Sequence, residues 1–315
     1  MLKDLGNRDA LRGGFLIAAV LALLLIALAA SAQEPVQKVF ATPDEAVQSL
    51  IAAVKASDTS ALLAIFGPEG KDVVSSGDEV ADKEAGDFFL AMANEGYDFE
   101  KTQGGQMMID LGEDDWPFPI ALAKTKGGWR FDTESGLEEI IDRRIGRNEL
   151  LTLATCRAYV DGQLEYFAKG HDGNPPAYAQ KLMSEPGKHD GLYWQAKEGE
   201  GESPLGPLVA EAYTEGYRGP TAEGATPFHG YYFKILKAQG KNAAGGERDY
   251  VKKGLMTGGF ALVAWPATYG NSGVMTFLVN QTGVVYQKDL GEKTAELAPA
   301  MTAYDPDNTW EPTAD

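Results

Sequence analysis

Three histidines, His171, His189 and His229, are the candidates for a general base in this chain of 315 residues. His189 is followed by Asp190, and Glu202-Ser203 lies a loop further on. Folding could draw His189, Asp190, Glu202, Ser203 and His229 into a dispersed hydrolytic site, with a hydroxyl as nucleophile and an imidazole as its base. A metal site would need the three histidines to converge from three separate loops, which their spacing does not supply. The compact signatures are missing: there is no His-Glu-x-x-His, no Cys-x-x-Cys, no Gly-x-Ser-x-Gly, no Walker loop and no dinucleotide fingerprint. Gly270-Asn271-Ser272-Gly273 departs from the nucleophile-elbow spacing and precedes a strand pattern, so it reads as a turn.

Asp305-Pro306-Asp307-Asn308 gives oxygen ligands at close spacing, a set that could contribute to a Ca²⁺ site, although Asp, Pro and Asn also build turns by themselves. No other cofactor is implied. Glu113-Asp114-Asp115 reads as a turn. The single cysteine, Cys156, falls in a helical pattern among Leu153, Ala154, Ala158 and Tyr159, where a packed thiol is expected rather than a nucleophile. Aromatic residues crowd the stretch that holds Tyr193, Trp194, Tyr213, Tyr217, Phe228, Tyr231, Tyr232 and Phe233. Exposed members of that set, Tyr193, Trp194, Tyr231 and Tyr232 foremost, could stack on a sugar ring or a peptide; buried ones would be core.

These residues must be held by elements of two kinds. Thr42-Pro43-Asp44-Glu45 is a helix start, with Thr42 as cap, Pro43 in the first position and Glu45 as capping-box partner. Asp58-Thr59-Ser60 begins a second short helix ended by Gly67-Pro68-Glu69-Gly70, and a third is expected over Lys83–Glu95 with Phe88, Phe89 and Met92 inward. The period then shortens to two. Tyr97–Lys101, Gln106–Leu111, Pro119–Lys124 and Gly128–Asp132 read as an antiparallel meander. A long helix is expected over Thr133–Lys169, with Ile140, Ile141, Ile145, Leu150, Leu153, Tyr159, Val160, Leu164 and Phe167 at helical spacing. Residues 171–226 are rich in Gly and Pro with few periodic runs. Beyond them, Gly230–Leu236, Gly259–Trp265 and a hairpin of Val274–Asn280 with Val284–Lys288 give a three- or four-stranded sheet.

The amino terminus carries an address. Lys3, Arg8 and Arg12 precede an unbroken apolar run, Phe15–Ala30, and Ala30-Ser31-Ala32 offers a small-residue cleavage site. The run is shorter than the roughly 20 residues of a membrane span. Cleavage after Ala32 and a soluble periplasmic product, with no membrane span after processing, are expected. Gly14-Phe15 resembles a prepilin cleavage site, but Ala19 stands where that family carries Glu, and Pro35 and Pro43 would interrupt the continuing helix. Lys+Arg 28 against Asp+Glu 46, a net charge of −18, disfavours nucleic acid and anionic lipid as partners.

The fold class is thus α+β: N-terminal helices on a curved antiparallel sheet, then a long helix leading to a second antiparallel sheet domain. The boundaries are a signal peptide over 1–32, a flexible lead over 33–42, an α+β domain over 43–135 and the helix plus β-rich domain over 136–312. The first domain, with its Gly-Gly-Trp129-Arg130-Phe131 strand, resembles NTF2-like (cystatin-like) domains, and the second is similar in element order to the globular part of pilins and pseudopilins. Trp116-Pro117-Phe118-Pro119-Ile120, Arg143-Arg144-Ile145-Gly146-Arg147-Asn148-Glu149, Gly191-Leu192-Tyr193-Trp194 and Phe260-Ala261-Leu262-Val263-Ala264-Trp265-Pro266 carry a further resemblance. Through them, across roughly residues 38–312, the chain resembles the bacterial secreted family named domain of unknown function 2950. It implies secretion and fold rather than mechanism. The reading that follows is a non-enzymatic binding or assembly module of the cell envelope, whose partner is an envelope protein or a small ligand and whose oligomeric state is left open. An envelope hydrolase and a pseudopilin-like secretion component are the alternatives.

Overall fold

A computed structural model describes residues 37–170, 175–197, 201–217 and 226–314. The expected signal segment and cleavage site, His171 and part of the 199–204 loop lie outside the described residues. The chain is α+β. Helices α1 (Pro43–Lys55), α2 (Thr59–Phe66), α3 (Lys71–Val74) and α4 (Glu79–Glu95) precede a meander of β1 (Tyr97–Lys101), β2 (Met107–Leu111), β3 (Trp116–Thr125) and β4 (Gly128–Phe131). The Thr42 hydroxyl accepts the Glu45 N–H, and the Glu45 carboxylate reaches back to the Ala41 N–H, one residue further than a standard capping box. The end of the expected flexible lead is tied down: Phe40 exchanges backbone hydrogen bonds with Trp129, and the Gln37 amide donates to the Ile65 and Phe131 carbonyls. Gly128 makes that pairing possible, since its φ is +141° and a Cβ there would lie 2.1 Å from the Phe40 carbonyl oxygen. The first core gathers Phe40, Leu50, Ile109, Leu111, Ile120 and Phe131. Phe88, expected inward, is 50% exposed; its ring meets Trp116 edge-on at 5.6 Å, and Arg143 covers the same indole.

Helix α5 (Thr133–Lys169) matches its expected limits and crosses from one core to the other. At its start, Gly136 lies against β3, where a Cβ would come within 2.7 Å of the Pro119 carbonyl oxygen. Further along, its buried face differs from the apolar stripe read from the sequence. Tyr159, Val160 and Cys156 are buried as expected, but Leu150 is 68% and Leu164 46% exposed, and the polar Asn148, Thr152 and Gln163 are buried. The polar members of that face tie loops to the helix. The Gln163 amide donates to the Ala179 carbonyl at 2.9 Å and accepts its N–H at 2.8 Å, while Asn148 donates to the Ser272 carbonyl.

A helix not expected from the sequence, α6 (Gly206–Glu215), follows within the Gly/Pro-rich region. The remaining chain forms β5 (Tyr231–Leu236), two short hairpins of β6 (Ala238–Gln239) with β7 (Arg248–Asp249) and β8 (Val251–Lys252) with β9 (Leu255–Met256), then β10 (Ala261–Pro266), β11 (Met275–Asn280), β12 (Val285–Asp289), α7 (Thr294–Ala300) and β13 (Glu311–Pro312). The main sheet has five strands, in the order β13-β12-β11-β10-β5, one more than the upper expectation because the C-terminus adds an edge. The β11–β12 hairpin turns at 280–283 as expected, with the Asn280 side chain accepting the Thr282 N–H and Gly283 at φ +79°.

The two halves meet through a buried polar network. Asp78, 2% exposed, caps α4 by accepting the Val80 and Ala81 N–H groups, and its second oxygen accepts the Tyr217 hydroxyl at 2.9 Å and the Gly230 N–H at 2.8 Å. Arg144 on α5 donates to the Asp72 and Val73 carbonyls and to the Asn271 side chain, whose amide donates to the Ser75 carbonyl. Among the described residues no helix is long and apolar enough to cross a membrane.

Candidate functional site

The sequence of α6 shows why it stands where it does. Pro207 occupies its first turn, Gly216 ends it in the left-handed region at φ +111°, and Leu208, Val209, Ala212 and Tyr213 share one face. That face looks across a cleft of about 250 Å³ towards α5, β5 and the Leu182–Tyr193 segment. The segment is held by ladder-like bonds from the Tyr193 N–H to the Leu182 carbonyl and from the Ser184 N–H to the Tyr193 carbonyl, and the Leu205 N–H joins it at the Leu192 carbonyl.

The walls combine rings with branched aliphatic groups, and among the described residues no Asp, Glu, Lys, Arg or His contributes to them. Five of the hydroxyls around the cleft, those of Tyr159, Thr155, Tyr217, Tyr193 and Tyr213, have structural partners. Tyr159 donates to the Ala261 carbonyl at 3.1 Å, Thr155 to the Leu151 carbonyl at 2.9 Å, Tyr217 to Asp78, and Tyr193 shares a hydrogen bond with Tyr213. Burial raises the Tyr193 and Tyr217 hydroxyls above the usual phenol range, and for Tyr217 the Asp78 carboxylate adds to the rise. At one edge His229 adopts φ +49°, its ring 4.1 Å from that of Phe228, and its Nε2 lies 3.4 Å from a Glu215 carboxylate oxygen. Burial lowers His229 and raises Glu215, so both are drawn towards their neutral forms.

Of the aromatic crowd, Tyr193, Tyr213, Tyr217, Phe228, Tyr232 and Phe233 line the cleft, and Trp194 and Tyr231 do not. Tyr231 is fully buried in the second core, its hydroxyl donating to the Met275 carbonyl, which removes it from any binding surface. Trp194 packs on His189, with ring centroids 4.6 Å apart. The contributions of α6 and of Thr155 and Tyr159 on α5 escaped the sequence reading. Pro207, Gly216 and the spacing of Leu208, Val209 and Ala212 were the available signal for the helix.

Of the candidate catalytic groups, Asp190 is engaged elsewhere. The Asp190 carboxylate accepts from Lys181 at 2.7 Å and from the Glu185 N–H at 2.9 Å, and Asp190 borders a smaller cavity of about 140 Å³. The His189 carbonyl accepts the Tyr166 hydroxyl. Ser203 is 3% exposed, and its hydroxyl has no hydrogen-bond partner, whereas Glu202 is exposed. The Asp305 carboxylate accepts the Asn242 backbone and side-chain amides, Asp307 accepts the Thr309 N–H, and Asn308 is exposed. Among the described residues, no group of three or more His, Cys, Asp or Glu side chains is placed to hold a metal ion.

Cys156 is fully buried, and burial pushes its thiol up to about 12. At pH 8 the thiolate fraction is then about one in ten thousand. Iodoacetamide is expected to leave native protein unmodified over hours and to label it fully in guanidinium. Stoichiometric native labelling would show that the helix face is open.

No curated protein and no solved structure matches the chain. A family model does, over residues 37–313, an extent that takes in both halves and the helix between them, and the chain belongs to the family described as Protein of unknown function (DUF2950).

Proposed function

We propose that the chain is an exported binding module of the cell envelope and that the cleft between α6 and the second sheet is its binding site. The observation that carries this reading is the cleft itself, a cavity of about 250 Å³ walled by rings and aliphatic groups, with no acid or base among the described lining residues. Concave, largely apolar sites of this kind suit ligand capture, whereas hydrolysis needs a nucleophile, a base and an orienting group within hydrogen-bond reach. Export follows from the basic start, the apolar run and the Ala30-Ser31-Ala32 site. The acidic balance of −18 keeps nucleic acid and anionic lipid away.

The test is native mass spectrometry of protein released from the periplasm without detergent. The mature chain is expected to begin at Gln33 and to carry a non-covalent mass excess. Ala212→Phe, which places a ring inside the cleft, is expected to abolish that excess. An identical excess in the variant, or none in the parent, would sink the assignment of this cleft as the site.

A further inference from the structure

We infer that the cleft takes a neutral, ring-bearing small molecule of about ten non-hydrogen atoms. The inference rests on the binding-site reading above and adds the chemistry of the ligand. Size comes from volume. An apolar cavity of about 150 Å³ accommodates benzene, so one of about 250 Å³ has room for a fused bicycle or a substituted single ring. A sixteen-carbon acyl chain would leave much of its length in water.

Neutrality comes from the walls. A carboxylate or an ammonium moved among described lining residues that carry no opposing charge loses its hydration without replacement. For an anion, the net charge of −18 adds long-range repulsion. A cation would be drawn by that field and by the rings, but Leu182, Leu205, Leu208, Val209 and Leu262 share the lining with them, so an ammonium there trades part of its hydration for aliphatic contact.

Ring character comes from the aromatic members. Tyr193 and Tyr213 meet at 62° with centroids 6.2 Å apart, and Phe228 and Phe233 stand at 6.4 Å from each other. A planar ligand can lie face-on to one of each pair and edge-on to the other. Sugars fit poorly, because a polyol needs many hydrogen-bond partners and the hydroxyls of Tyr159, Tyr217 and Thr155 already serve Ala261, Asp78 and Leu151. Half-buried Tyr232 brings a hydroxyl to the wall, enough for one polar substituent on the ring.

The experiment titrates the mature protein with 2-naphthol, 2-naphthoate and benzyltrimethylammonium by isothermal calorimetry, in parallel with Ala212→Phe and Leu208→Trp. The second variant stands in should the first fail to fold, which thermal melting will show. Expected is saturable 1:1 binding of 2-naphthol with Kd below about 100 µM. The two charged probes should bind at least tenfold more weakly, and either filling variant should weaken 2-naphthol at least tenfold. Charged probes binding as well as 2-naphthol, with both lost in the variants, would overturn the ligand class while leaving the site in place. Binding of 2-naphthol unchanged by either folded variant would overturn the inference and the site together. No saturable binding of any probe would overturn the ligand class, and the mass excess on periplasmic protein then judges the site separately.

Discussion

Replacing Asp78 with Ala is expected to cost about 3–5 kcal/mol of stability. This carboxylate is 2% exposed and accepts four hydrogen bonds, two from the first turn of α4 and two from the other half of the chain. Loss of the cap contributes about 1 kcal/mol. The larger part comes from what remains behind: the Tyr217 hydroxyl and the Gly230 N–H are both buried and would have lost their acceptor, at about 1–2 kcal/mol each. Tyr217→Phe removes one donor and leaves Asp78 with three, so about 1–2 kcal/mol is expected for it. The double variant should cost less than the sum of the two, because the hydroxyl that the first change strands is absent in the second. Urea denaturation of the four proteins measures the cycle. A loss under 0.5 kcal/mol in Asp78→Ala would mean that this junction is hydrated and that the halves are not joined through it.

Local signals in the sequence were strong where chemistry and geometry coincide within a few residues. Thr42 and Pro43 mark the start of α1, the two-residue period locates β1, and the limits of α5 fall at Thr133 and Lys169. The facing of α5 was not legible, for a physical reason. Periodicity assumes that apolar residues are inside, but Asn148 and Gln163 are inside because each satisfies a loop carbonyl, and Leu150 and Leu164 are displaced to the surface. The cleft was half legible. The crowd of rings was visible as composition, and strand alternation already implies that Tyr231 and Tyr232 point to opposite faces, one to the core and one to the cleft. Helix α6 was hidden by its Gly/Pro-rich surroundings, and without it the rings have no opposite wall. The junction was beyond reach, since Asp78 meets Tyr217 and Gly230 across 139 and 152 residues, and neither spacing nor hydropathy encodes such a contact.

Tyr159→Ala is expected to be as damaging as the loss of Asp78, at about 3–5 kcal/mol, by a different route. Tyr159 is 1% exposed and stands edge-on to Phe260 at 5.7 Å. Its hydroxyl donates to the Ala261 carbonyl and accepts from the Gln163 amide, so truncation opens a void and strands two polar groups. Tyr159→Phe keeps the ring and isolates the polar part, for which about 1 kcal/mol is expected. How the loss is distributed tests the architecture. Helix α5 gives Ile140 to the first core and Cys156, Tyr159 and Val160 to the second, and as one continuous helix it cannot unfold at one end without fraying its support at the other. Trp116 and Trp129 report on the first half, and Trp265 and Trp310 on the second, so single-tryptophan versions can follow each core by fluorescence. Both reporters should move together to the lower midpoint in Tyr159→Ala. A shift confined to the second-half reporter would show two independently stable halves, with α5 as a connection between them and not a shared support.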